Sequence, residues 1–135
     1  MNLVSVYHVK PASKANHILY DLLKERTPEQ SISHKELPSF TDHVKFVNSR
    51  PYQAWYFIQA GDMYVGACYL TRQREVGVFI FNDFAGHKYG LNAIKLLMEQ
   101  HPGKLLANVN PKNEPSIKLW GSLDFKHIQN TYANQ

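Results

Sequence analysis

The run His87-Lys88-Tyr89-Gly90-Leu91-Asn92 stands between an apolar stretch ending at Phe81 and a helical pattern that continues to Gln100. A glycine-bearing loop at such a junction leaves backbone N–H groups without intrahelical partners at the positive end of the helix dipole. That corner is a seat for phosphate. Gly86 and Gly90 permit a tight turn and a close approach of phosphate to the main chain, and Lys88, with His87 when charged, adds positive charge. The chemistry indicated is the grip on a nucleotide-tailed donor. The two glycines have three residues between them and no Lys-Ser or Lys-Thr after them, so the loop is not a Walker loop. It also lacks the three-glycine dinucleotide fingerprint.

The elements that must position this loop follow from periodicity. Leu3 to Val9, with Val4, Val6 and Val9 apolar, reads as a strand stopped by Pro11. Ser13 is the expected cap of a helix from Lys14 to Arg26, whose apolar residues Ala15, Ile18, Leu19, Leu22 and Leu23 share one face. Glu29 to Pro38 has no period and reads as a loop or an irregular short helix; loops of that length often carry function. Ser39 and Asp42 make a capping-box-like start for a second helix, ended by Arg50-Pro51.

Ala54 to Gln59 and Met63 to Thr71 form a hairpin across Ala60-Gly61-Asp62, and Glu75 to Phe81 adds a third antiparallel strand. A helix from Gly90 to Gln100 is closed by Pro102-Gly103. Lys104 to Val109 reads as a strand, Asn113 to Leu119 as a short helix and Phe125 to Tyr132 as a last strand. The strand-helix-strand unit from Glu75 to Val109 is a crossover, which makes its two strands parallel.

The chain's 135 residues fit one domain, 1–135, long enough to bury roughly two thirds of its unfolded surface. With 44% hydrophobic and 19% charged residues it is a folded globule rather than a disordered segment. The net charge of +4 favours an anionic ligand, but no stretch of Lys and Arg is dense enough to track a nucleic-acid backbone. Cys68 is the only cysteine, which excludes an internal disulfide and a multi-Cys zinc site, and its apolar neighbours mark it as core. The seven histidines show no i, i+4 pair with a carboxylate between, so no metal is expected. With no leader pattern and no apolar run of about 18 residues, the expectation is a cytoplasmic protein without a membrane span.

In this order the elements resemble the GNAT superfamily of N-acetyltransferases over nearly the whole chain. The family's donor motif is Gln or Arg, two residues, Gly, one residue, then Gly or Ala; here His87 and Asn92 occupy the first and last places and Gly90 the centre. A second motif, Asn, a small residue three later, Tyr seven later and then Gly-Phe, is matched by Asn113, Ser116, Trp120 and Asp124-Phe125, with Asn110 before it. The resemblance implies an α+β fold: a mixed, mostly antiparallel sheet of about six to seven strands flanked by about four helices in three layers.

It implies further that acetyl-CoA is the co-substrate and that its pyrophosphate meets the backbone of His87, Lys88, Tyr89, Gly90, Leu91 and Asn92. Its pantetheine would pass between splayed fourth and fifth strands beside Asn113 and Ser116. A backbone N–H within Phe79, Ile80 and Phe81 would polarise the thioester. Trp120 stands where many members carry a Tyr that protonates the departing thiolate, and an indole N–H is no acid for that purpose; Tyr89 and Tyr132 are other hydroxyls. Glu75 and His34 are the candidate bases, histidine having an intrinsic range suited to the task, and a solvated surface role is the alternative for each. His34 lies in the loop that lines the family's acceptor side, and Tyr52 is a candidate contact to the acceptor. Of the remaining aromatics, strand alternation sends Trp55 and Phe57 to one face and Tyr56 to the other.

The implied reaction is direct transfer of acetyl to a primary amine of a small molecule or protein, without an acyl-enzyme. Short members of the family often pair, so a homodimer is open. The rival readings are an acyl-CoA-binding module without turnover, and a same-fold acyltransferase with another donor or a nucleic-acid base as acceptor.

Overall fold

The computed structural model describes residues 1–26, 37–108, 114–126 and 128. Five strands form one sheet in the order β1-β2-β3-β4-β5, antiparallel except for the last pair. The strands are β1 Asn2–Ser5, β2 Ala54–Ala60, β3 Met63–Leu70, β4 Glu75–Ile80 and β5 Leu106–Ala107. Helices α1 Ala12–Lys24 and α2 Phe40–Asn48 cover one face, and α3 Tyr89–Gln100 and α4 Glu114–Ser122 the other. This is the three-layer α+β arrangement expected, with five strands in place of six to seven among the described residues. The last expected strand, Phe125 to Tyr132, falls mostly outside them, and Phe125 and Lys126 are not strand.

β1 is shorter than its valines suggest. The Ser5 hydroxyl accepts the Tyr7 N–H at 3.3 Å and turns Val6–His8 into a 3-10 helix. Val6 and Val9, three apart, are both buried, which is the period of that helix rather than of a strand. α1 begins after Pro11 without a side-chain cap, so Ser13 lies inside its first turn, and it ends at Lys24 rather than Arg26. At α2 the capping is as read: Ser39 accepts the Asp42 N–H at 3.1 Å. Arg50, at φ +50°, ends the segment before Pro51, and Arg72 donates to the carbonyls of both.

The hairpin of β2 and β3 turns through Gly61, at φ +64°. β4 and β5 are held together by Arg74. Its guanidinium donates to the carbonyls of His101, Pro102 and Lys104 beyond α3, and its own carbonyl accepts the Leu106 N–H at 2.8 Å. The crossover is thereby closed at the Glu75 end of β4, where Glu75 pairs with Leu106 and Val76 with Ala107.

Two cores result. Leu19, Leu22, Val47, Trp55, Phe57 and Ala67 fill the space under α1 and α2. Ile58, Cys68, Leu70, Val76, Ile94, Leu97 and Trp120 fill the space under α3 and α4. Each fully buried aliphatic side chain contributes about 1.5–3 kcal/mol. Trp55 and Phe57 share the first core and Tyr56 packs on the second, as alternation requires. Among the described residues no helix is long and apolar enough to cross a membrane.

Candidate active site

The junction of β4 and α3 is a loop followed by a helix start, as the sequence pattern predicts. Gly86 is at φ +84° and Lys88 at φ +62°, so the loop needs two left-handed residues to enter the helix. The first intrahelical bond runs from the Asn92 N–H to the Lys88 carbonyl at 3.1 Å, which leaves the amides of Tyr89, Gly90 and Leu91 without a carbonyl inside α3. His87, Lys88 and Asn92 are exposed there. At Gly90 a Cβ would face Ile80 Cγ1 at 3.7 Å and Val78 Cγ2 at 3.9 Å. Those are ordinary contact distances, so a methyl group fits against β4 and the α3 start packs on Val78 and Ile80.

Beyond Val76, β4 has no partner on its β5 side among the described residues. Which amides face that side follows from alternation. Phe81 donates its N–H to Val65, and the Glu75 carbonyl accepts from Thr71, so the odd-numbered residues turn their backbone toward β3. The N–H and C=O groups of Val78 and Ile80 therefore face the open side. Of Phe79, Ile80 and Phe81, only Ile80 offers an amide there.

Side chains alternate as well. Val76, Val78 and Ile80 face α3, while Phe79 and Phe81 face α1 and α2, a face that Glu75 and Gly77 share by the same alternation. The Glu75 carboxylate accepts a hydrogen bond from the Asn108 amide just past β5. A Cβ on Gly77 would overlap the Tyr69 ring, so that ring lies across the strand between Glu75 and Phe79.

On this face α1, α2 and the sheet enclose a cavity of about 220 Å³. Its walls include Leu22, Arg26, Asp42, His43, Phe46, Tyr52, Trp55, Tyr69 and Phe79. Tyr52 stacks on Tyr69 at 4.1 Å with the rings 4° from parallel. Arg26 lies over the Phe79 ring, 4.2 Å from its centroid. Burial pushes the Tyr69 phenol up, opposed by the nearby Arg26 charge, and burial likewise raises Tyr52. Both phenols stay neutral at pH 7.

His43, only 4% exposed, lies between the two helices. Burial lowers its pKa, and the hydrogen bond that its ring N–H donates to the Asn16 carbonyl opposes the shift. Its Nε2 has no partner, nor does the Arg26 Nε. By elimination Nδ1 carries the proton and Nε2 a free lone pair.

A pH dependence follows. An unfolded histidine takes a proton near pH 6.5, whereas folded His43 takes it only at lower pH, so the unfolded state binds more protons in acid and stability rises with pH. That contribution is complete above about pH 6.5 and is lost as pH falls through the folded value. His101, also lowered by burial, adds to the same trend. Urea midpoints measured from pH 7.5 down to pH 5 will fall, and less steeply for His43→Asn than for the wild type.

Other residues read from the sequence stand as follows. His34, Asn110, Asn113 and Tyr132 lie outside the described residues, as does the side chain of Ser116 within α4. Trp120 is 6% exposed, with its ring 4.8 Å from that of Phe125. That pair closes a helix C-terminus in which Phe125 donates to the Trp120 carbonyl and Asp124 to the Gly121 carbonyl, with Asp124 at φ +63°. Asp124 thus adopts a left-handed conformation for which glycine is the usual residue. Cys68 is fully buried, and burial pushes its thiol up to about 12, so it is no nucleophile.

Sequence reasoning does not single out Arg26, Asp42, His43, Phe46 and Tyr69. A signal is present for two of them. Arg26 follows Leu22 by four residues and Leu23 by three, and His43 precedes Val47 by four, so each polar side chain occupies a place on an apolar helical stripe.

No family model and no curated protein matches the chain. Solved structures do. A domain from Methanocaldococcus jannaschii DSM 2661 superposes with a TM-score of 0.77 at 18% identity, over 98% of this chain and 92% of that one. An acetyltransferase from Thermus thermophilus gives 0.73 at 18% identity, over 96% and 88%. YncA from Salmonella typhimurium, a putative acetyltransferase solved with its cofactor acetyl-CoA, gives 0.64 at 15% identity, over 91% and 79%. The parallel β4-β5 pair, the crossover through α3 and these likenesses together identify the fold of the chain as that of the GNAT acetyltransferases.

Proposed function

We propose that the protein is an N-acetyltransferase that moves acetyl from acetyl-CoA to a primary amine by direct attack. One observation carries the reading: among the described residues the edge of β4 is open beyond Val76, directly before the amides of Tyr89, Gly90 and Leu91 that begin α3. An unpaired strand edge accepts the amide groups of a pantetheine arm as it would accept another strand, and the helix start accepts the pyrophosphate. Asn113 and Ser116 border that arm, and Trp120 supports this region from the core. The reaction takes place where the open edge meets the cavity at Phe79, with Tyr52 on the acceptor's side.

The amine first loses a proton. Its nitrogen then forms the C–N bond to the thioester carbon, the Ile80 N–H stabilises the developing oxyanion, and the C–S bond breaks. The nitrogen gives up a second proton to water and the thiolate takes one up, so that the sum, starting from an ammonium, is an amide, the free thiol and one proton released. Glu75, about 13 Å along β4 from Phe79, acts as a proton acceptor reached through water, with His34 as the other base. Solvent protonates the thiolate, because Trp120 cannot.

Thiol release on incubation with acetyl-CoA and a panel of amines tests this. Turnover with at least one amine is expected, lowered in Glu75→Gln by less than the roughly 100-fold of a base in direct contact. Binding of acetyl-CoA without turnover on any amine would favour the acyl-CoA-binding module, a reading supported by the indole at position 120. A gain of activity in Trp120→Tyr would support the module reading further.

A further inference from the structure

The cavity has a chemical polarity that narrows what it takes. Its floor and walls are aromatic and aliphatic, yet two buried polar atoms in it have no partner, Arg26 Nε and His43 Nε2. Their surroundings differ. His43 donates to Asn16 and packs on Tyr20, both within α1. Arg26 sits over Phe79, beside the open edge of β4. Among the described residues it has no carboxylate partner, since the Glu25 beside it accepts the Asn82 N–H instead. An unpaired guanidinium calls for an anion with planar acceptors, and a lone pair calls for a donor.

We propose that this cavity binds an aromatic α-amino acid bearing a hydrogen-bond donor on its ring, as the acceptor of the acetyl group. The carboxylate lies on Arg26, and the α-amino group, on the adjacent carbon, is held at the β4 edge where the thioester arrives. The ring lies among Phe46, Tyr52, Trp55 and Tyr69, and its donor reaches His43 Nε2. The volume of about 220 Å³ is on the scale of a small-molecule site, which suits a free amino acid. Charge fixes the direction: Asp42 beside His43 would repel the carboxylate, and the rings that pack on His43, those of Tyr20 and Phe40, offer it no cation. The role as acceptor rests on the acetyltransferase reading; the binding itself does not.

Calorimetry without acetyl-CoA tests it, with L-tyrosine, L-phenylalanine, tyramine and L-lysine as probes. L-Tyrosine will bind, and tyramine, which lacks the carboxylate, will bind about tenfold more weakly or worse. Arg26→Gln will abolish that difference. His43→Asn keeps an N–H for the Asn16 carbonyl and removes Nε2, and it will abolish the preference for L-tyrosine over L-phenylalanine. Equal affinity for L-tyrosine and tyramine in the wild type, preference for L-lysine, or no binding by either aromatic amino acid would overturn the proposal, and none of these needs a variant to fold. Acetyl-CoA is titrated separately: amino-acid binding without acetyl-CoA binding supports the cavity assignment and sinks the transferase reading alone.

Discussion

Gly66→Val abolishes the native sheet. Gly66 on β3 pairs with Ile80, and a Cβ there would overlap the Phe79 carbonyl while meeting Ile80 Cδ1 at 2.9 Å and Ile80 Cα at 3.0 Å. Two of these three atoms are backbone, so relief requires β3 to leave β4. Overpacking against movable side chains costs about 1–3 kcal/mol, and against main chain the cost exceeds that range. With a total stability of about 5–15 kcal/mol, the variant will be largely unfolded at 37 °C. Gly61→Ala is the contrast. It imposes the φ of +64° on a residue with nothing within 4 Å, so it costs about 1–2 kcal/mol. Urea melts followed by circular dichroism will separate the two; a Gly66→Val midpoint close to that of Gly61→Ala would show that β3 and β4 are not in this register.

Ile80→Pro, the second large effect, will lower kcat by about 100- to 1,000-fold, equivalent to about 2.7–4 kcal/mol of lost oxyanion stabilisation. The Ile80 N–H points to the open side of β4, so proline there removes no ladder bond within the described sheet, and proline is tolerated on such an edge. The side chain packs toward Gly90 and loses contact in the variant. Ile80→Val is therefore the control, because it trims the side chain and keeps the N–H. Affinity for acetyl-CoA will stay within a few-fold in both, since the pyrophosphate seat is untouched. Equal turnover in the two variants would move the oxyanion donor elsewhere.

Much of this architecture is legible in the chain because local and global signals agree. The hairpin around Gly61, the Ser39 cap and the crossover from β4 through α3 to a parallel β5 are each dictated by short-range pattern, and each is present. The end of β1 is not legible in the same way, because Ser5 competes for the Tyr7 amide, and side-chain-to-backbone bonds of that kind are invisible to hydrophobic period. The packing of Gly90 against Val78 and Ile80 is a tertiary distance and is likewise absent from the linear pattern.

The cavity is the part least visible in the sequence. Tyr52 stands out because it belongs to a conspicuous aromatic run. Arg26 and His43 come together with it only after α1, α2 and three strands have packed, and each alone reads as an ordinary break in an apolar stripe. Tyr69 takes its place through the absence of a side chain at Gly77, a matter of two strands' geometry that no linear pattern encodes.

The structure of the complex with coenzyme A bears most directly on the central claim. The account predicts the pantetheine arm along the open edge of β4 with its thioester carbonyl on the Ile80 N–H, and the pyrophosphate within hydrogen-bond reach of the Tyr89, Gly90 and Leu91 amides. Coenzyme A bound elsewhere, or a strand bonded to β4 along Val78 to Ile80, would contradict it.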